Sequence, residues 1–190
     1  MKIKEFETDS LAQEAGIRIG DDILNINGHS IRDIIDYRFY SSDEELEIEI
    51  NRDDEIQIFE IEKDFDDNLG IIFQDIKYRL CGNKCIFCFI DQNPDGMRES
   101  IYVKDEDFRL SFIYGNYVTL TNISRKNLDR IVEQKLSPLY ISVHSTDLAI
   151  RKHLLGIKND DRLMDKIKFL IENHIEIHAQ IVLCPGINDG

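Results

Sequence analysis

The chain is short of cysteine, of basic residues and of long apolar runs, and each shortage excludes something. Four cysteines in 190 residues are too few for a disulfide-stapled scaffold. The opening Met1-Lys-Ile-Lys-Glu-Phe-Glu lacks the apolar stretch of a signal peptide, so a reducing cytoplasm is expected. Lysine and arginine number 23 against 37 acidic residues, a net charge of −14. A general nucleic-acid binder needs a basic footprint, so none is expected here. No apolar run approaches the roughly 18 residues of a membrane span, so no membrane partner is expected either. Hydrophobic residues nevertheless make up 42%, enough for a buried core. The length suits one medium domain or two small ones.

The few cysteines are unevenly spent. Three of the four fall within eight residues, as Cys81-Gly-Asn-Lys-Cys85-Ile-Phe-Cys88. Thiolates are soft ligands that favour iron–sulfur clusters, zinc or copper(I), and this spacing lets one loop wrap three sulfurs around one inorganic centre. Iron–sulfur clusters usually take four cysteines, so the fourth position is filled from elsewhere or left open for a substrate or cofactor. A structural zinc would draw its fourth ligand from Cys184, His144 or His178. Cys85 and Cys88 alone could form a redox pair, against which Cys81 argues. Lys77, Arg79 and Lys84 lie close in sequence and are either solvated or help to lower thiol pKa values.

Two regions differ in pattern. In residues 1 to 65, Ile23 to Ile26 reads as a strand ending at the Asn27-Gly28 turn, and Leu46–Ile50 and Ile56–Ile61 alternate as a half-buried hairpin around Asn51 to Asp54. Residues 43 to 67 are densely acidic, a solvated face. Beyond Phe73, strands at Tyr117–Thr121, Leu139–Val143 and Ile177–Leu183 alternate with helical patterns. One helix is capped by Ser124 and turns Leu128, Ile131 and Val132 inward. Another runs from His153 to Asn173 with an apolar stripe of Leu163, Ile167, Leu170 and Ile171. Such alternation implies parallel βαβ units, whose chemistry gathers at the carboxyl ends of the strands. Thr121, Asn122, His144, Ser145 and Cys184 are expected there. His144 and Cys184 are the candidates for acid–base or ligand roles, with core packing as the alternative. Because the last strand is followed by no closing helix, the chain is expected to be part of a longer protein.

Glu14 to Arg32 resembles a PDZ domain of the bacterial type, through Ala-Gly-Ile, Gly-Asp-Asp-Ile-Leu and Ile-Asn-Gly. That family captures peptide carboxyl ends by strand addition. Its binding strand follows a Gly-Leu-Gly-Phe-like loop, to which Asn68-Leu-Gly-Ile-Ile-Phe73 is the nearest match. Either the domain is circularly permuted, with residues 68 to 73 supplying that strand, or the groove is lost. A docking or scaffold role for a peptide or protein partner is preferred.

With Phe87 before the last cysteine, residues 81 to 88 match C-x3-C-x-aromatic-C, and the second region resembles a radical S-adenosylmethionine enzyme. More narrowly, Cys85 to Gln92, Leu110 to Asn122 and Gln180 to Gly190 resemble a bacterial group that fuses a PDZ domain, a radical S-adenosylmethionine-like domain and a C-terminal domain of unknown function, DUF512. The resemblance implies a [4Fe-4S] cluster on Cys81, Cys85 and Cys88, with S-adenosylmethionine on the fourth iron, reductive cleavage to a 5′-deoxyadenosyl radical and hydrogen abstraction from an unknown substrate. It also implies an electron donor such as a flavodoxin or ferredoxin. Phe87 would pack beside the cluster. The family's Gly-Gly-Glu motif is absent and Gly115-Asn116 stands near its place; Thr121 and Ser142 stand where contacts to ribose or the methionine moiety fall.

The expected fold class is therefore α/β. A PDZ-like domain spans 1–65 and a connecting segment 66–76. Residues 77–190 form the first half of a partial (β/α) barrel, truncated at its C-terminus. Two other readings stay open: a non-catalytic PDZ-type interaction module on a metal-stabilised scaffold, and an electron-transfer iron–sulfur protein.

Overall fold

The computed structural model describes residues 1–189. They divide into two compact units, Met1–Lys77 and a second beginning at Tyr78.

The first unit is built by alternation. Strand β1 (Ile3–Phe6) is followed by a short helix α1 (Leu11–Glu14), the strands β2 (Asp22–Ile26) and β3 (His29–Ser30), helix α2 (Ile34–Tyr40), and the long pair β4 (Glu45–Arg52) and β5 (Glu55–Glu62). A last strand, β6 (Ile71–Phe73), pairs antiparallel with β1, and the four-stranded sheet runs β3-β2-β4-β5. In β4 the apolar positions Leu46, Ile48 and Ile50 are buried while Glu45 and Glu47 face out. That period of two is what a sheet with one wet face requires. Asp53 and Asp54 both take positive φ (53° and 66°), the mirror-image turn whose twist matches a hairpin. Asn27 stitches the β2–β3 turn to β4, its Oδ1 accepting from the Glu47 amide at 2.8 Å and its Nδ2 donating to the Glu45 carbonyl at 3.2 Å.

Helix α2 is started by Asp33, whose carboxylate accepts from the Ile35 and Asp36 amides. The core gathers Ile23, Ile26, Ile48 and Ile50 from the four-stranded sheet, Ile3 of β1, Ile17 from the turn after α1, Tyr37 of α2, and Leu69, Ile71 and Phe73. Each fully buried isoleucine contributes about 1.5–3 kcal/mol over an exposed one. The packing of Leu69, Ile71 and Phe73 carries this unit to Lys77, beyond the expected end at residue 65.

The second unit holds helices α3 (Phe108–Tyr114) and α4 (Arg125–Glu133), strand β7 (Leu139–Ser142), helices α5 (Leu148–Leu155) and α6 (Leu163–Glu172), and strand β8 (Ile177–Gln180). β7 and β8 are parallel, and Val118 bridges Ile141 in parallel on the other side of β7. The unit is thus mixed α/β with three adjacent parallel strand positions, and no closed barrel forms among the described residues. Ser124 caps α4 as expected, and Leu128 and Ile131 are buried.

Two helical expectations are corrected. The helix expected from His153 to Asn173 is two, interrupted where Gly156 takes a left-handed φ of 65° and caps α5. Ile171, expected in the apolar stripe, is 57% exposed. Leu163, Ile167 and Leu170 share a face at i, i+4 and i+7, and Ile171 turns out of it. The strand expected at Tyr117–Thr121 reduces to the bridge at Val118, because Leu120 adopts a positive φ of 60°.

Candidate cluster site and peptide groove

The cysteine loop is fastened from several directions. At its start the Cys81 amide donates to the Lys104 carbonyl (2.8 Å) and Leu80 bridges Asp105. In its middle the Lys84 and Ile86 amides donate to the carbonyls of Leu155 and Leu154 (2.9 and 3.0 Å), at the C-terminus of α5. These are carbonyls a helix leaves without partners of its own. The contact depends on Gly156: a Cβ there would lie 2.6 Å from the Lys84 carbonyl oxygen. The sequence pattern carries a helix through Gly156 and holds no sign that it seats the loop.

Asn83, between the first two cysteines, is buried. Its Nδ2 donates to Thr119 Oγ1 at 2.8 Å, and its Oδ1 accepts from Thr121 Oγ1 at 3.0 Å. Phe87, at the end of the loop, meets the ring of His144 edge-on at 4.6 Å between centroids.

Cys81, Cys85 and Cys88 are free and half-buried. Burial pushes the Cys81 thiol up. Burial and the charges of Cys81 and Cys88 push Cys85 up to about 11. Burial and neighbouring thiols make Cys81 and Cys85 costly to ionise without a cation, and the chemistry of the three-sulfur set fits an iron–sulfur cluster. Among the described residues no three His, Cys, Asp or Glu side chains converge on one metal-ion position. Lys104, paired with Asp91 at 2.5 Å, eases the ionisation of Cys81, and its own pKa is raised by Asp91 and then by the charge of Cys88. Arg79 lies over the Phe108 ring, and Lys84 is exposed. Lys104 stands sixteen residues beyond Cys88, too far along the chain for local charge patterning to associate them.

The remaining candidates separate. Thr121 is in the site, with its hydroxyl on Asn83 and 2.9 Å from Thr119 Oγ1. Ser142 is buried at the end of β7, its amide donating to Val118 O at 2.8 Å. His144 is buried and takes a positive φ of 59°. Its Nδ1 accepts from the Val182 amide at 3.2 Å, so a neutral ring carries its proton on Nε2. Burial, then the charge of Arg151, lower its pKa to about 4. Gly115 and Asn116 lie at the other, amino end of the Val118 segment. Gly115 caps α3 against the Tyr140 ring, and Asn116 donates to Asp105 at 3.0 Å.

Cys184 belongs to a turn held by Asn188, whose Oδ1 accepts from the Cys184 amide at 2.7 Å and whose Nδ2 donates to the carbonyls of His144 and Val182. His178 stacks on Tyr140 within the β7–β8 pair. Neither it nor His144, whose Nδ1 is engaged, is arranged as a fourth zinc ligand.

Three side chains that no motif marks hold the strand ends. Arg151, 2% exposed, donates to Thr119 O (2.8 Å), to the carbonyls of Ser142 and Val143, and to Asp161 (2.7 Å). Lys166 Nζ donates to Leu120 O at 2.7 Å. Glu106 Oε1 accepts from the Thr119 amide at 2.7 Å, closing the side of the strand that β7 does not cover, and burial raises its pKa. Their signal is spatial: each lies 13 to 46 residues from the backbone group it binds at Thr119 or Leu120.

A family model for the Radical SAM-like domain matches residues 63–190, and one for the PDZ domain matches residues 2–52. The chain belongs to the Radical SAM-like domain family. No curated protein matches it. The radical SAM-like match begins at Lys63, yet residues 63–77 fold with the first unit because Leu69, Ile71 and Phe73 fill its core.

A groove of about 270 Å³ lies in the first unit. Its lining includes Ile34, Tyr37, Arg38 and Ser41, on and just beyond α2, and Lys63, Leu69 and Ile71 of the segment leading into β6. Residues 68 to 73 thus form one wall and α2 the other. No helix among the described residues is long and apolar enough to cross a membrane.

Proposed function

We propose that the second unit is a radical S-adenosylmethionine enzyme domain in which Cys81, Cys85 and Cys88 ligate three irons of a [4Fe-4S] cluster and leave the fourth to S-adenosylmethionine. The observation that carries this reading is the loop itself. Three free thiols stand on a segment pinned to the strand ends by Asn83, by the α5 carbonyls and by Phe87. When bound, the pair would supply reductive cleavage of the sulfonium and hydrogen abstraction from a substrate.

The chain's own residues would do the holding. Phe87 and His144 shield one side of the loop from water, and His144 stays neutral there. Thr121 and Ser142 stand at the strand ends that would receive the cofactor. Gly115 and Asn116, at the opposite end, are not assigned to it. The three parallel strand positions are read as part of a partial (β/α) barrel. More narrowly, we read the chain as one of the PDZ plus DUF512 group, a reading supported by the likeness of its motif segments. Four free cysteines support a reducing compartment such as the cytoplasm.

Electron paramagnetic resonance on anaerobically reconstituted, dithionite-reduced protein tests the reading. A [4Fe-4S]⁺ signal that shifts on adding S-adenosylmethionine is expected. A signal indifferent to it favours electron transfer, and stoichiometric zinc without iron overturns the proposal.

For the first unit we propose peptide docking in the groove between α2 and β6. Arg38 and Lys63 would meet the peptide carboxylate, in a lining that also holds Glu7 and Asp67, and Ile34, Leu69 and Ile71 would meet an apolar end residue. Peptides with free carboxyl ends should bind more tightly than their amidated forms in a fluorescence-polarisation titration. Equal binding, or none, overturns this role.

A further inference from the structure

Between Cys81 and Cys85 the chain has three residues, and they face opposite ways. Gly82 and Lys84 are exposed, while Asn83 is 8% exposed. An asparagine amide has both a donor and an acceptor, and here each is used on a different threonine. Nδ2 donates to Thr119 Oγ1, and Thr121 Oγ1 donates to Oδ1. Thr121 has then spent its proton, so the 2.9 Å contact between the two hydroxyls runs from Thr119 to Thr121. The three contacts close a ring of Asn83, Thr119 and Thr121, to which the Thr121 amide adds a further bond on Thr119 Oγ1, and members of such a ring polarise one another.

Thr119 is itself immobilised. Its amide is held by Glu106 and its carbonyl by the Arg151 guanidinium. The ring therefore ties the middle of the C-x3-C segment to a strand residue held on both its amide and its carbonyl.

We infer that Asn83 is a positioning residue, which fixes Cys81 and Cys85 relative to the strand ends and so pre-arranges the three thiols for their inorganic centre. This rests on the reading of Cys81, Cys85 and Cys88 as one ligand set, but not on the centre being an iron–sulfur cluster. Without the ring, the loop keeps its backbone bonds at Cys81, Lys84 and Ile86 and loses the side-chain anchor between the first two ligands. Each metal-binding event must then order that stretch again.

The test uses the whole chain in its metal-free form and cadmium(II) alone as probe, read by the thiolate-to-metal charge-transfer band. Asn83→Ala and Thr121→Val should each weaken cadmium binding about tenfold, the effect of one well-made buried hydrogen bond. The double variant should be no weaker than either single one, since both remove the same ring. Thr121→Ser, which keeps the hydroxyl, should bind like the parent chain. Unchanged affinity in all variants, or additive losses in the double, overturns the inference.

Should Asn83→Ala fail to fold, the Thr121→Val and Thr121→Ser pair decides alone. In reconstituted protein, Asn83→Ala should also move the midpoint potential of the cluster. A chain that forms no iron cluster yet shows the cadmium pattern would sink the proposed enzyme while leaving Asn83 its role.

Discussion

The two units solve the problem of stability with different materials. In the first, buried apolar side chains alternate along strands. Its buried polar groups mostly serve caps and turns, as Ser10 does for α1, Asp33 for α2 and Asp21 for the entry to β2. In the second, polar side chains tie distant elements together: Asn83 to Thr119, Glu106 to Thr119, Arg151 to three strand-end carbonyls, and Asp107 to the Arg79 amide. An apolar core tolerates substitution so long as volume and pattern are kept. A polar network fails when one member is lost, because its partners stay buried and unsatisfied. The site-bearing unit is therefore the more brittle of the two.

That contrast is sharpened most by Arg151→Met set against Ile48→Ala. The first leaves Asp161, 5% exposed, without its guanidinium. It should cost about 3–5 kcal/mol, with amide-exchange protection lost across residues 78–189. The second opens a cavity in the sheet core and should cost about 3 kcal/mol, with the loss confined to residues 1–77. Equal loosening of both units by either variant would break the comparison.

A smaller effect comes from pH. His144 titrates near 4 when folded and near 6.5 when unfolded, so folding favours the neutral ring. Its contribution is complete above about pH 6.5 and drains away as pH falls toward 4. Between pH 7 and 5 the second unit of the metal-free protein should lose about 2 kcal/mol in urea titrations. Asp21 and Asp107 have lowered values. Burial opposes that shift, but the hydrogen bonds of Arg52 and Arg109 outweigh it. Their stabilisation persists until the pH falls below the ordinary aspartate range. His144→Phe should flatten the slope between pH 7 and 5, and an unchanged slope would remove His144 from the account.

Much of the first unit was legible. The alternation in Leu46–Ile50 announced β4, and Asn27-Gly28 announced its turn, because strand period and turn chemistry are local properties. The cysteine motif was legible for the same reason, since its spacing is contained in eight residues. Less legible were the interruption at Gly156, the positive φ at Leu120 and the service of Lys104 to the thiols. Each is decided by a partner far along the chain. Gly115 and Asn116 precede Val118 and so lie at the amino end of that segment, away from Thr121 and Ser142. Asn83 stood inside the motif, and only its burial distinguishes it from Gly82 and Lys84.

One feature of the first unit bears on how copies of this chain behave in concentrated solution. β5 ends the four-stranded sheet with a free edge, where Ile56 and Ile58 are 69% and 58% exposed. Such an edge is a template for another strand. The glutamates at 55, 60 and 62 guard it with like charge. These three side chains take no part in the core, and a buffer that screens charge weakens the guard they set on that edge.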